Sequence, residues 1–259
     1  MILKAERNLK AVYDSGQCFR WTETKEGYLA VVGNHYAFLK QIDESHIRID
    51  CDDPFWKDYF DLDTDYGNIR SRIAKRDKFL INAAEEGRGI CILRQDPWEM
   101  LVSSIISQRK SIPAIRSTLR KICRREIGEG IYAFPAPEEI LSLGENGLRE
   151  AGAGYRIPYL LGTAEKFAGG EFNIGELNGL KDADLKKKLM ELPGVGTKVA
   201  DCTMLFGFHR LNAFPVDVWI ERALAEHYPK GFPFQKYKPY CGVLQQYMFY
   251  AYMLEKQKN

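Results

Sequence analysis

Two spacings of apolar residues alternate along the chain. "GYLAVVGNHYAFLKQID" holds two β-rich runs around Gly33-Asn34, a two-residue hairpin signal. "HIRIDC" places Ile47, Ile49 and Cys51 at every second position, the period of a half-buried strand. The first fifty residues therefore favour strands, and after Asp52-Asp53-Pro54 the period becomes helical. "DPWEMLVSSIIS" offers Asp96 as N-cap, Pro97 at the first helical position and Glu99 at the third, a capping-box arrangement. Its apolar face is Trp98, Leu101, Val102, Ile105 and Ile106. Helical period returns in Ile157, Leu160, Leu161, Ala164 and Phe167, and again in Tyr240, Val243, Leu244, Tyr247, Met248, Ala251 and Tyr252. The pattern predicts an α+β chain: an N-terminal antiparallel β-sheet subdomain with flanking helices over 1–92, followed by an all-helical domain over 93–259.

Composition narrows the class only a little. The chain has 259 residues, 45% hydrophobic and 28% charged, ordinary values for a globular protein with room for two subdomains. With 37 basic and 35 acidic residues the net charge is +2, so a nucleic-acid-binding face must be local. None of the six cysteines forms a C-x-x-C pair, which argues against a zinc ribbon or an iron–sulfur cluster and for free thiols. The N-terminal "MILKAERNLKAVYDSG" lacks the apolar centre of a signal peptide, and no run approaches membrane-span length; a cytoplasmic protein is expected. "DLDTDYG" resembles a calcium loop, but Tyr66 and Arg72 stand where such a loop needs glycine and glutamate. It reads as a capped turn between helices.

The candidate chemistry starts at "ELPGVGTKVADC", Glu191 to Cys202. Pro193, Gly194 and Gly196 mark a tight turn between a helix ending near Leu192 and one starting at Thr197, a helix-hairpin-helix over about 186–208. Outward amides of such a turn bind a phosphate oxygen without reading a base; a plain connection with glycine as C-cap is the structural alternative. Lys198 falls in the first turn of the new helix, where amides and the helix dipole disfavour a cation. Its pKa should fall, and a neutral amine is a nucleophile able to form a Schiff base. A solvent-facing lysine on a phosphate is the alternative. Pro215 blocks helix before "VDVWIERAL", and Asp217 is placed as N-cap of Val218 to His227. An amine and a fixed carboxylate meeting in one cleft suit displacement at a sugar carbon with oxocarbenium character; a purely structural cap is the other reading.

At these residues the chain resembles the helix-hairpin-helix DNA glycosylases, and the hairpin lysine places it with their bifunctional members. "SGQCFRW", "RQDPWEMLVSSIISQ", "AGAGYRIPYL", "LPGVGTKVADC" and "QQYMFYA" together resemble the 8-oxoguanine DNA glycosylase/AP lyases, over about residues 12 to 253. The resemblance implies that Lys198 attacks C1′ of the damaged nucleotide and that Asp217 assists. The carbonyl of Gly16 would accept from N7–H of 8-oxoguanine; Cys202 and Phe249 would sandwich the flipped base; Gln245, on a recognition helix over about 238–254, would meet its Watson–Crick edge. A turn at Gly16 and core packing of Cys202 and Phe249 are the structural alternatives. Tyr155 would wedge into the stack, Arg156 would reach the widowed cytosine, and Gly194 and Gly196 would let the hairpin grip phosphate. Two positions depart from the animal enzymes: Pro113 stands where they have a cytosine-reading arginine, leaving Arg109 as a loose substitute, and Trp219 stands where they have a histidine. Both fit a shorter bacterial branch.

The same resemblance implies double-stranded DNA containing 8-oxoguanine as partner, a monomer associated with the nucleoid, no catalytic metal and no redox cofactor, with a monovalent cation under the hairpin carbonyls. A glycosylase for alkylated purines and a noncatalytic DNA-backbone binder are the rivals; the first lacks the hairpin lysine, and the second needs neither Lys198 nor Asp217. Arg116, Arg120 and Arg124 form an i, i+4 row that reads as a solvated helix face, with phosphate contact as the alternative.

Overall fold

The computed structural model of the protein describes residues 1–258; Asn259, the last residue of the expected helical domain, lies outside them. Strand β1 (Ile2–Lys4) is followed by helix α1 (Leu9–Asp14), β2 (Trp21–Glu23), β3 (Tyr28–Val32), β4 (His35–Asp43) and β5 (His46–Ile49). The strands form one antiparallel sheet in the order β1-β5-β4-β3-β2. The β3–β4 hairpin turns at Gly33 and Asn34 as expected, with Val32 opposite His35 and Gly33 at φ +57°. Alternate positions of β5, Ile47 and Ile49, are buried. Helix α1 corrects the strand reading of this region: the Asn8 side chain caps it by accepting from the Ala11 N–H, and Leu9, Ala11 and Val12 are buried.

Three short helices follow, α2 (Phe55–Tyr59), α3 (Tyr66–Ser71) and α4 (Lys78–Glu86). The carboxylates of "DLDTDYG" take separate tasks. Asp65 caps α3 through the Asn68 N–H. Asp61 is fully buried; it pairs with Arg94 at 2.9 Å and His209 at 3.2 Å and accepts from the Tyr66 hydroxyl at 2.7 Å.

Helix α5 (Pro97–Ser107) starts on Asp96, whose side chain accepts from the Glu99 N–H. The reciprocal half of the capping box is absent. Glu99 turns instead to Arg20, 3.1 Å away, and both side chains are more than nine-tenths buried. A charge-assisted bond to a guanidinium outcompetes one to a backbone N–H. Burial pushes the Glu99 carboxyl up, and Arg20 opposes that shift.

Helix α6 (Ile112–Ile122) leads into a hairpin of β6 (Glu126–Gly128) and β7 (Ile131–Tyr132). The C-terminal part is therefore not all-helical. The Glu126 carboxylate accepts from the Gly130 N–H to close this turn, and Arg20 donates to the Tyr132 carbonyl, anchoring it to the N-terminal motif.

Helix α7 (Pro137–Glu150), a 3-10 turn at Gly154–Arg156, α8 (Ile157–Ala168), α9 (Ile174–Gly179), α10 (Asp182–Leu189), α11 (Thr197–Phe206), α12 (Val218–His227), α13 (Phe234–Tyr237) and α14 (Cys241–Lys258) complete the chain. Helix α10 stops at Leu189, short of the expected Leu192, because the N–H groups of Leu192 and Val195 turn back to the carbonyls of Leu189 and Leu192 ahead of α11. Helix α11 packs on α5, and α14 packs on α4 and α12. One apolar cluster runs from Leu9 and Trp56 through Ile105 to Leu244 and Tyr247, so sheet and helices share a core across residue 92. Among the described residues no helix is long and apolar enough to cross a membrane.

Candidate active site

The hairpin between α10 and α11 has a tight corner at Gly194. Its φ is +72°, and a Cβ there would lie 2.4 Å from two ring atoms of Tyr159, so only glycine fits. Gly196 is the N-cap of α11 and makes no such demand: its backbone is extended and a Cβ would meet open space. It supplies no side-chain cap, which leaves the first-turn amides of α11 without an internal acceptor.

Lys198 is in that first turn and half-buried. Its Nζ donates to the Ser107 Oγ at 3.2 Å, and the Ser107 hydroxyl donates to the Ser104 carbonyl at 2.8 Å. One turn along α11, the Cys202 thiol is pushed up by burial, and the neighbouring Lys198 opposes the shift. Asp217 caps α12 as its sequence position requires. Its Oδ1 accepts from both the Trp219 N–H at 3.0 Å and the Ile220 N–H at 2.9 Å. Among the described residues no bond is made to Oδ2, so one carboxylate oxygen stays available.

Lys198, Asp217, Gly16, Cys202 and Phe249 line one cavity of about 460 Å³. Four separate chain segments converge there. Gly16 has φ +72°, and a Cβ on it would lie 3.4 Å from Phe249 Cε1, so the ring rests directly on the glycine backbone. The loop holding Gly16 is pinned by Gln17, which is fully buried. Its amide donates to the Ser15 Oγ at 3.0 Å and the Cys91 carbonyl at 2.9 Å, and accepts from the Leu93 N–H at 2.9 Å. From the far end of the chain, Gln246 donates to the Ser15 carbonyl.

The remaining predicted residues are not part of the lining of this cavity. Gln245 is 4% exposed, and its amide oxygen is buried without a donor. Tyr155 stands 51% exposed at a loop tip, with the Arg156 guanidinium 4.3 Å from its ring centre. Arg156 itself is buried, donating to the carbonyls of Ala153 and Gln108. Arg109 is exposed in a left-handed conformation, φ +51°, with no polar partner among the described residues.

Several contributors were not singled out from the sequence. Gln108 joins three segments: its amide donates to the Gly194 carbonyl at 3.1 Å, while its own carbonyl accepts from Arg156 and the Tyr155 hydroxyl. Lys110 lines the cavity and donates to the Gly152 carbonyl at 2.7 Å; burial, then the charges of Arg156 and Lys121, push its amine down. Phe19 also lines it, as does Trp219, which the sequence had marked only as a departure. The polar run "SQRKS" closing an apolar helix was the available signal for the first two. The arginine row is corrected at one position: Arg116 is not solvated but stacks on Tyr13 at 3.7 Å.

Residues 1–101 match the family profile of the 8-oxoguanine DNA glycosylase N-terminal domain, and residues 102–231 match the HhH-GPD superfamily of base excision DNA repair proteins. The chain belongs to the HhH-GPD superfamily. Among superfamily relatives, the N-glycosylase/DNA lyase of Saccharomyces cerevisiae is 32% identical over 264 residues, covering 88% of this chain and 70% of its own. A protein of Methanothermobacter thermautotrophicus is 33% identical over 196 residues, 66% of this chain and 62% of its own, so the chain spans under two thirds of that relative's length. The 8-oxoguanine glycosylase/lyase of Clostridium acetobutylicum, solved with double-stranded DNA containing cytosine opposite 8-oxoG, superposes with a TM-score of 0.90 at 31% identity, over 99% of this chain and 98% of that one. The two superfamily profiles meet inside α5, the helix that supplies Ser107 to Lys198.

Proposed function

We propose that the protein is a bifunctional DNA repair glycosylase that excises 8-oxoguanine from duplex DNA and then nicks the strand. The observation that carries this reading is the convergence of Lys198 and Asp217 on the cavity that also holds Gly16, Cys202 and Phe249. A DNA-binding module has no use for a half-buried amine beside a carboxylate with a free oxygen.

The glycosidic carbon is unreachable in a stacked duplex, so the damaged nucleotide turns out of the helix into the cavity. As the C1′–N9 bond breaks, its electron pair leaves with the base, which takes up a proton given by the Lys198 ammonium. The sugar carbon gains positive charge, and Asp217 stabilises it from its fixed position on the α12 N-terminus. The Lys198 amine left by that transfer bonds to C1′, the C1′–O4′ bond breaks as O4′ takes a second proton from the nitrogen to leave a Schiff base, and loss of the C2′ proton expels the 3′ phosphate by β-elimination. Selection rests on Gly16: its carbonyl accepts from the N7–H of the oxidised base, whereas guanine presents a bare acceptor. Opposing two acceptors in a dry site costs about 1–3 kcal/mol. The buried, unpartnered amide oxygen of Gln245 is suited to the Watson–Crick N–H groups of the same base.

Tyr155 fills the vacated stack and Arg156 contacts the opposite cytosine, with Arg109, Gly194 and Gly196 facing the backbone. At the hairpin the donors available to a cation are backbone carbonyls, hard ligands suited to a monovalent ion; that of Gly194 is already engaged by Gln108. We place the enzyme in the cytoplasm, acting as a monomer.

The test is a borohydride trap on duplex DNA carrying one 8-oxoguanine. A covalent adduct that disappears in Lys198→Gln, with lesion binding retained, is expected. Binding without an adduct in the unaltered protein means a noncatalytic module, and an adduct on abasic but not on 8-oxoguanine DNA means another lesion.

A further inference from the structure

Phe19 borders two cavities. One is the cavity of Lys198; the other, about 300 Å³, lies between strands β2 and β3, helix α6 and the β6–β7 hairpin. Arg116 and Arg120 are one turn apart on α6 and both line this second cavity. The Arg116 guanidinium donates to the Tyr13 carbonyl at 3.0 Å, but its Nε is buried without an acceptor. Arg120 has no polar partner among the described residues. Arg20 also lines the cavity, but Glu99 neutralises it, and the one acid in the lining is Glu23. Two guanidiniums that lack counter-charge thus face a space walled by the rings of Tyr13, Phe19 and Tyr132.

We propose that this second cavity binds a mononucleotide, its phosphate forked between Arg116 and Arg120 and its base against the aromatic wall. Guanidinium forks match phosphate oxygens. The volume is at the small end for a ligand pocket, larger than inorganic phosphate requires. The DNA backbone fits less well. Arg120 is eight residues along α6 from Ile112, about 12 Å from the loop that borders the Lys198 cavity. Walls such as Trp21 and Cys123 are buried, which gives the cavity a floor of the kind a small ligand rests on.

Calorimetric titration of the full chain with guanosine 5′-monophosphate, guanosine and inorganic phosphate, in about 0.15 M salt to screen diffuse attraction, tests this. Saturable one-to-one binding of the nucleotide is expected, at least about tenfold tighter than either part, a difference of about 1.4 kcal/mol. Arg120→Glu, an exposed position that leaves the fold alone, should abolish it, and Arg116→Lys should weaken it by removing the fork while keeping the charge. Nucleotide binding that survives Arg120→Glu would belong to the Lys198 cavity and overturns the proposal. So does equal affinity for inorganic phosphate, and so does an absence of nucleotide binding combined with weakened duplex affinity in Arg120→Glu, which would assign the row to DNA.

Discussion

The Lys198 Nζ meets the Ser107 Oγ at 3.2 Å across the contact between α11 and α5. The hydrogen of that hydroxyl is committed to the Ser104 carbonyl, so Ser107 faces the amine only as an acceptor and fixes the direction in which the nitrogen points. Ser107→Ala should lower the single-turnover rate of 8-oxoguanine excision about tenfold, or about 1.4 kcal/mol, with affinity for lesion DNA unchanged. An unaltered rate would mean that other contacts orient the amine.

Asp217 uses one oxygen only: Oδ1 holds the start of α12, and Oδ2 makes no bond among the described residues. Asp217→Asn keeps the cap and removes the charge; it should unfold within about 0.5 kcal/mol of the parent yet lose at least about a hundredfold in excision rate. Asp217→Ala should lose the same activity and, in addition, about 1 kcal/mol of stability in urea. Equal activity in the parent and the asparagine variant would reduce Asp217 to a structural cap.

Gly16 adopts φ +72° against the Phe249 ring. Gly16→Ala should destabilise the protein by about 1 kcal/mol through backbone strain, and relief of that strain should shift the Gly16 carbonyl. The expected readout is a larger loss of affinity for 8-oxoguanine duplexes than for undamaged DNA; equal losses would separate Gly16 from base selection.

Pro113 lines the cavity in the first turn of α6, and the sequence resemblance sets it, rather than an arginine, where the opposite base would be read. Excision rates opposite C, A, G and T should therefore agree within about tenfold, or 1.4 kcal/mol. A stronger preference for C would show that Arg109 or Arg156 restores the discrimination.

Burial alone would push the Asp61 carboxyl up, but the His209 contact, with Thr64 and Tyr66, more than offsets it and holds the group well below the usual carboxylate range. A lowered folded value means the contribution is complete above the unfolded value of about 3.9 and is lost as pH falls below it. Asp61→Asn should cost about 3 kcal/mol at neutral pH, the low end for a broken buried pair because Arg94 keeps some access to water. Urea midpoints followed from neutral pH downward should fall less steeply in this variant than in the parent.

The features legible in the sequence are those written in a few neighbouring residues. Gly33-Asn34 announces its hairpin, Asp96-Pro97 and Asp217 announce helix starts, and Pro193 to Lys198 places an amine in a first turn. Six-residue α1 has too few buried positions to show a helical period, and two-residue β7 cannot show any. Long-range partners were beyond local reading. Glu99 leaves its capping box for an arginine 79 residues earlier, and Gln246 reaches a carbonyl 231 residues away. Of two adjacent glutamines on α14, the four-residue spacing pairs Gln245 with Phe249, and nothing local shows that it is Gln246 that grips the motif around Gly16.

That last grip ties the earliest and latest parts of the polypeptide into one wall, because α14 supplies both the Phe249 ring and the Gln246 amide to the Ser15–Gly16 loop. A ribosome must finish α14 before the wall exists, although the hairpin and Lys198 have by then already emerged. Unfinished copies, and copies clipped ahead of Gln246, would carry the Lys198 amine in a cavity that lacks one wall. On the function proposed above, damage to the protein's tail would thus silence it rather than free it from selectivity.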